Sequence, residues 1–252
     1  MKMNQKKGQV TIFIIIAIAL VIILSIIFLS RQNISITTSE APIDSIKKCA
    51  KDATQEALSI LTLQGGTINP QNYYLYNGNK IDYICYTEEN FKNCLIQKPL
   101  LKQEIENEIK NYIAPKINSC IQAKKTELQN KGYTITSQEP EIQIEIFPNN
   151  ILINLNQIEL TITKSETQTF SNIKTDINSK LYDLIMISSS ITNWESKYGD
   201  VEIINYMIYY PDLIIEKNPQ EDGTKIYTLT NKKTQDKFIF ASKSMTIPPG
   251  VI

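Results

Sequence analysis

Residues 10–29 carry no charge, and that run constrains the chain more than any other feature in it. Sixteen of the twenty are Ile, Leu, Val or Phe; only Thr11, Ala17, Ala19 and Ser25 interrupt them. A helix of that length, rising 1.5 Å per residue, is ~30 Å long, the thickness of a bilayer's hydrocarbon core. At roughly 0.3–0.6 kcal/mol per large apolar side chain, membrane insertion is favoured by about 5–9 kcal/mol. Helices of globular cores usually keep a polar stripe, and this run has none. The expectation is a single transmembrane helix that meets the lipid bilayer through residues 10–29.

Lys2, Lys6 and Lys7 precede the run, and Arg31 is the nearby cation after it. Positive flanks are retained on the cytoplasmic side. Residues 1–8 therefore read as a cytoplasmic basic leader, 9–30 as the transmembrane segment and 31–42 as a linker. The remainder is expected outside the cell. A secretory signal has a shorter apolar region, about 7–15 residues, and small residues at its cleavage site. Here the run ends Phe28-Leu29-Ser30-Arg31, so it reads as a retained signal anchor.

The junction Lys6-Lys7-Gly8-Gln9-Val10-Thr11 resembles the class III signal of type IV pilins and pilin-like proteins, the archaeal ones in particular. In that family a membrane peptidase cuts after the Gly and leaves the helix in place. The resemblance implies cleavage between Gly8 and Gln9 by a prepilin-peptidase-like enzyme. Two features depart from the pattern. Phe13 stands at the fifth mature position, where many pilins carry Glu. Residues 33–39 are rich in β-branched and capping types and lead to Pro42, where a pilin helix would continue.

Four cysteines lie beyond the run, at positions 49, 85, 94 and 120. An even count in an oxidising compartment reads as two disulfides, for which three pairings exist. The expected pairs are Cys85 with Cys94 inside a loop and Cys49 with Cys120 between two helices. The rival, a four-cysteine zinc site, lacks any Cys-x₂₋₄-Cys knuckle. Asn33-Ile34-Ser35 is a glycosylation sequon just outside the membrane, which marks Asn33 as a modification candidate.

Composition excludes several chemistries. The chain has no His, so Ser-His-Asp triads, Cys-His dyads and His-ligated metals are absent. Setting aside the three leader lysines leaves 23 basic against 26 acidic residues, with no cationic cluster for nucleic acid. No cofactor-binding fingerprint occurs.

Beyond the linker the pattern divides at residue 132. Ile46, Cys49, Ala50, Ala53, Ala57, Ile60 and Leu61 recur at helical spacing, and Gln64-Gly65-Gly66 ends that helix. A second helix over 99–130 has Leu101, Ile105, Ile109, Ile113, Ile117, Cys120, Ile121 and Leu128 on one stripe, with a break or kink expected at Pro115. Between them, 69–90 reads as irregular and holds Tyr73, Tyr74, Tyr76, Tyr83 and Tyr86. Those tyrosines form either a contact surface or a cover for the helix pair. After 132 the period switches to two. Glu141–Ile146 and residues 151–155 predict a hairpin, and the apolar phase slips at Asn156-Gln157. A helix is expected over 176–196 with Trp194 on its inner stripe, and strands over 213–216, 225–231 and 237–242; 201–210 stays open between helix and strand.

The fold class is thus α+β: one transmembrane helix, a disulfide-linked helical segment over 43–132, and a second domain over 133–252 with an antiparallel sheet covered by a helix. The order Lys7-Gly8-Gln9, Cys49, Leu63-Gln64-Gly65-Gly66, Cys120 is also similar to a group of membrane-anchored proteins of small-genome archaea, a resemblance that implies architecture and no activity. The function expected is an extracytoplasmic structural or surface protein, a pilin-like subunit or minor pseudopilin that contacts other surface proteins. A tethered binding or adhesion module that uses the Tyr-rich segment is the alternative. An extracellular hydrolase would have to rely on carboxylates such as Glu88-Glu89 or Glu221-Asp222, both in stretches that read as exposed loops.

Overall fold

The computed structural model describes residues 16–23, 25, 42–157, 160–163 and 167–246. The chain divides into two compact units, one up to Ala41 and one from Pro42 onward. In the first, residues 16–23 are helical and exposed. Among the described residues, no helix is long and apolar enough to cross a membrane, and most of 10–29 lies outside them.

The second unit is α+β. Helix α1, Pro42–Leu61, buries Ile46, Ala50, Ala53, Ala57 and Leu61. Cys49 sits at the flank of that stripe, half-buried, and not within it. Helix α2, Leu101–Asn130, runs unbroken through Pro115. A proline there lacks the N–H that would bond the carbonyl of Asn111. The i, i+4 row Leu101, Ile105, Ile109, Ile113, Ile117 and Ile121 is buried on both sides of it, so packing holds the two halves in one element.

The junction after α1 needs two left-handed glycines. Gly65 has φ +71° and Gly66 φ +84°. A Cβ on Gly65 would come within 2.9 Å of the Asp82 carbonyl oxygen, and one on Gly66 within 2.7 Å of Ile105 Cγ1. These positions let the end of α1 lie directly against the adjoining strand and α2.

Among the described residues, twelve strands form three sheets. Strands β1 (Tyr73–Tyr76), β2 (Asn79–Tyr86), β10 (Leu213–Pro219), β11 (Thr224–Asn231) and β12 (Lys237–Lys243) are ordered β1-β2-β12-β11-β10, and β3 (Leu95–Ile96) also pairs with β2. The β2–β12 pair is parallel, so this sheet is mixed and not purely antiparallel. Its pairing also removes the expected boundary at residue 132: strands from 73–96 and 213–243 share one sheet, and everything from Pro42 onward is one unit. Strands β4 (Thr134–Thr136), β7 (Leu160–Thr163) and β8 (Thr167–Phe170) make a second sheet. Strands β5 (Glu141–Ile146), β6 (Asn150–Asn156) and β9 (Ile173–Asn178) make a third. The phase slip at 156–157 proves to be a change of sheet: Gln157 turns with φ +56°, and β7 leaves β6 to pair with β4.

Residues 73–86 are a hairpin where an irregular segment was expected. Asn77 (φ 49°) and Gly78 (φ 81°) form its two-residue turn, the left-handed pair such hairpins require. Helix α3, Leu181–Tyr198, starts five residues later than expected because β9 occupies 173–178. Helix α4, Ile204–Tyr209, settles most of the open 201–210 segment as helical. One core joins α1, α2, α3 and the inner faces of the sheets, including Tyr227, Phe238 and Phe240.

Two disulfides are present: Cys49–Cys120 ties α1 to α2 with Cα atoms 6.6 Å apart, and Cys85–Cys94 ties β2 to the segment before β3 at 5.3 Å. They close loops of about 72 and 10 residues, worth about 4.4 and 2.7 kcal/mol as upper values from unfolded-chain entropy. Replacing Cys49 and Cys120 by Ala should therefore lower the unfolding free energy of the full chain more than replacing Cys85 and Cys94. Urea titration of the two double variants checks the order, and equal losses would contradict it.

Candidate functional site

The residues singled out from sequence fall in three places. Gly8, Gln9 and Asn33 lie outside the described residues. Tyr74, Tyr76, Tyr83 and Tyr86 lie on the outer face of the mixed sheet, whereas Tyr73, one residue before Tyr74 and paired with Asp82, faces the other side. On the outer face Tyr74, Tyr76 and Tyr86 pack on a small second core of Ile81, Tyr83, Ile226 and Ala241. They do not cover the helix pair. A β-bulge between the Ala241 and Ser242 pairings keeps both Tyr83 and Tyr86 on that face, with ring centroids 4.6 Å apart. Tyr83 is buried, shares a 2.8 Å hydrogen bond with Thr224 Oγ1, and has its hydroxyl pKa pushed up to about 12 by burial. Of the five, Tyr73 alone is exposed, with Lys80 Nζ 4.7 Å from its ring centroid. The carboxylates Glu88, Glu89, Glu221 and Asp222 are all exposed. Burial raises Asp222, but the backbone and hydroxyl of Thr224 outweigh it and hold the carboxyl below its usual value. Among the described residues, no group of three or more Cys, Asp or Glu side chains converges as a metal would require.

The C-terminal end of α3 departs furthest from its sequence pattern. Trp194, expected inside, is 49% exposed, and its neighbour Glu195 is 0% exposed. Both continue the helical spacing of Leu184, Ile187, Ser188 and Ile191, so spacing alone does not choose between them. The strands choose. Lys225 Nζ of β11 donates to both Glu195 carboxylate oxygens at 2.9 Å. The Tyr227 hydroxyl donates to Oε1, and Ser242 Oγ of β12 to Oε2 at 3.4 Å. Lys225 also donates to the Gly199 carbonyl at 2.6 Å and to Asp200 Oδ1 at 3.1 Å. Gly199, with φ +78°, caps α3 in the left-handed conformation and accepts no Cβ without overlap with Thr246.

Burial dominates the electrostatics of this cluster. It raises the Glu195 pKa, and attraction to Lys225 and the hydrogen bonds from Tyr227 and Lys225 only partly offset it. The Tyr227 hydroxyl is likewise driven far above its ordinary value by burial and then by the Glu195 charge. Every oxygen of Glu195 is already engaged. Its role is positional: it fastens α3 to β11 and β12 and turns Trp194 outward.

Trp194 then helps to wall an open cavity of about 560 Å³ between α3 and α4, lined also by Ser190, Val201, Glu202, Asn205, Tyr206, Tyr209 and Tyr210. No family model, curated protein or solved structure matches this chain. The chemistry of the cavity must therefore be read from its own walls. Trp194 stacks on Tyr198 with centroids 4.8 Å apart and planes inclined by 29°. Tyr206 is held by a 2.7 Å hydrogen bond to Ser190 Oγ. Glu202 Oε1 accepts from the Ile204 backbone N–H at 3.1 Å. A second cavity of about 580 Å³ shares the walls Tyr209 and Tyr210 and extends the groove toward Lys180 and Lys233. The same helix α4 carries large exposed apolar side chains: Ile204, Ile208 and the cavity wall Tyr209, the last 80% exposed. A pocket with aromatic walls and few polar groups is the usual form of a binding site. Sequence reasoning missed it because Trp194 was assigned to the core and 201–210 stayed open between helix and strand.

Replacing Glu195 by Ala leaves Lys225 and the Tyr227 hydroxyl buried without their partner, and a loss of about 3–5 kcal/mol in stability is expected. Glu195→Gln, which keeps an acceptor for Tyr227, should cost less. Because the folded carboxyl pKa lies above the unfolded value of about 4.3, the native state holds the proton longer. Wild-type stability relative to Glu195→Gln should thus be greatest below that pH and fall as pH rises through the raised folded value. Denaturant titrations of both proteins across acidic pH measure this, and a relative gain with rising pH would refute it.

Proposed function

We propose that this chain is a single-pass membrane-anchored protein that presents its folded unit outside the cell, as a pilin-like structural component of the cell surface. The observation that carries the reading is the charge-free run 10–29 directly behind Lys6, Lys7 and Gly8. The cysteines support it independently. All four follow the run and all four are in disulfides, as suits an oxidising compartment. In this reading the leader is removed between Gly8 and Gln9 and the apolar helix is kept. Phe13, in place of the Glu that many pilins use in assembly, favours an accessory subunit over a main filament component.

A second reading, a tethered binding or adhesion module, is favoured by the α3–α4 groove. Exposed aromatic and aliphatic side chains gather there, while four of the five sequence-selected tyrosines are wholly or partly buried. The two readings share a topology and differ in what the folded unit touches.

Intact-mass measurement of protein extracted from native membranes is expected to give a chain that starts at Gln9. A chain that starts at Met1 removes the pilin-type processing. Protease added to intact cells should digest residues beyond the anchor. Full protection of those residues, with digestion only after the cells are broken, would overturn the exterior location.

A further inference from the structure

We propose that the cavity between α3 and α4 is a docking site for a basic side chain, Arg or Lys, presented by a partner polypeptide. This deepens the binding-module reading and rests on it. Four of the cavity's walls are aromatic: Trp194, Tyr206, Tyr209 and Tyr210. Their ring faces are electron-rich and attract cations, and Trp is the strongest of them. The charged group among the walls is Glu202, an anion, and no Lys or Arg lines the cavity. Glu202 forms no ion pair among the described residues; its carboxylate accepts from the Ile204 backbone N–H. The lining is thus a set of π-faces with one unneutralised carboxylate, complementary to an ammonium or guanidinium group. Elsewhere in the same patch the chain already makes this contact with itself: Lys197 Nζ lies 5.0 Å from the centroid of Tyr198.

A polypeptide is the better occupant than a free small cation because the recognition surface does not end at the cavity. Ile204 and Ile208, 57% and 69% exposed, lie on α4, the helix that supplies the walls Asn205, Tyr206 and Tyr209. Tyr209 and Tyr210 also wall the neighbouring cavity, where Asp183 and Asp212 are paired with Lys180 and Lys233. That second cavity is therefore balanced in charge and offers no competing site for a cation. Exposed apolar residues continuous with an aromatic pocket mark surfaces for protein partners, where Trp, Tyr and Arg carry most of the binding energy.

Trp194 is the single tryptophan of the chain, so its emission reports directly on the cavity. The full-length protein in detergent micelles is titrated with the peptide acetyl-Gly-Leu-Arg-Leu-Gly-amide and with its citrulline counterpart, which has the same shape without the charge. Choline is titrated in a third arm. The Arg peptide is expected to change Trp194 emission saturably and to bind at least tenfold more tightly than the citrulline peptide. Glu202→Gln should shrink that ratio several-fold, and Tyr209→Ala should weaken the Arg peptide at least fivefold. Both positions are exposed, so unchanged thermal unfolding separates lost binding from lost fold. Absence of a saturable change, equal affinities for the two peptides, or tighter binding of choline than of the Arg peptide would overturn the proposal. The titration uses purified protein, so it can fail while the mass and protease experiments succeed, and the reverse.

Discussion

A carboxylate shut away from water governs the C-terminal half of this molecule. Glu195 must be met by Lys225, Tyr227 and Ser242 or it would carry an uncompensated charge into the core. Those partners lie on β11 and β12, two adjacent interior strands of the mixed sheet. Satisfying Glu195 therefore fixes how far along the sheet α3 sits and how it is rotated about its axis. An apolar residue at 195 would pack there too, but it would set rotation and register much less strictly. The same network reaches the disulfide: Ser244 Oγ donates to the Glu195 carbonyl and accepts from the Cys94 N–H at 2.9 Å. Helix, sheet and covalent bridge are thus tied at one point.

Elements whose signal is local were legible in the sequence. The strict alternation of 141–146 and the i, i+4 row of α2 depend only on which face meets the core, and the structure has both. The two disulfides were legible because four cysteines without a knuckle spacing, in a chain read as exterior, leave paired bridges as the simplest expectation. The hairpin at 73–86 was missed although Asn77-Gly78 is its local signature. Tyrosine fits an exposed and a buried face alike, so 73–76 shows no alternation to flank the turn. Strand β9 was missed because Asp176 reads as a helix start, whereas Ile173, Thr175 and Ile177 pack inward as every second residue of a strand.

The candidate site was not legible at all, and the reason is distance along the chain. Whether Trp194 or Glu195 faces inward depends on Lys225 and Tyr227, about thirty residues later. No window centred on α3 contains that information. A buried acid at the edge of an apolar stripe is an unfavourable guess from composition alone, since Glu is almost never fully buried unless paired. The pairing is a property of the sheet.

Helix α4 shows most clearly that fold requirements do not exhaust this surface. Strand β10 is an edge, and its outward N–H groups would invite another chain to pair. Three of these positions are dealt with: Leu213 N–H donates to the Tyr210 carbonyl, Ile215 N–H to Met207 Sδ at 3.4 Å, and Pro219 has none. Edge protection therefore uses the Tyr210 backbone and Met207, while Tyr206 and Met207 also pack against the core. Nothing in that task needs the side chains of Ile204, Ile208 or Tyr209, which are exposed. Lys or Glu there would protect the strand equally well and would keep the surface more soluble. These exposed apolar side chains, with Tyr209 itself a wall of the aromatic cavity, are the surface that the proposed docking would use.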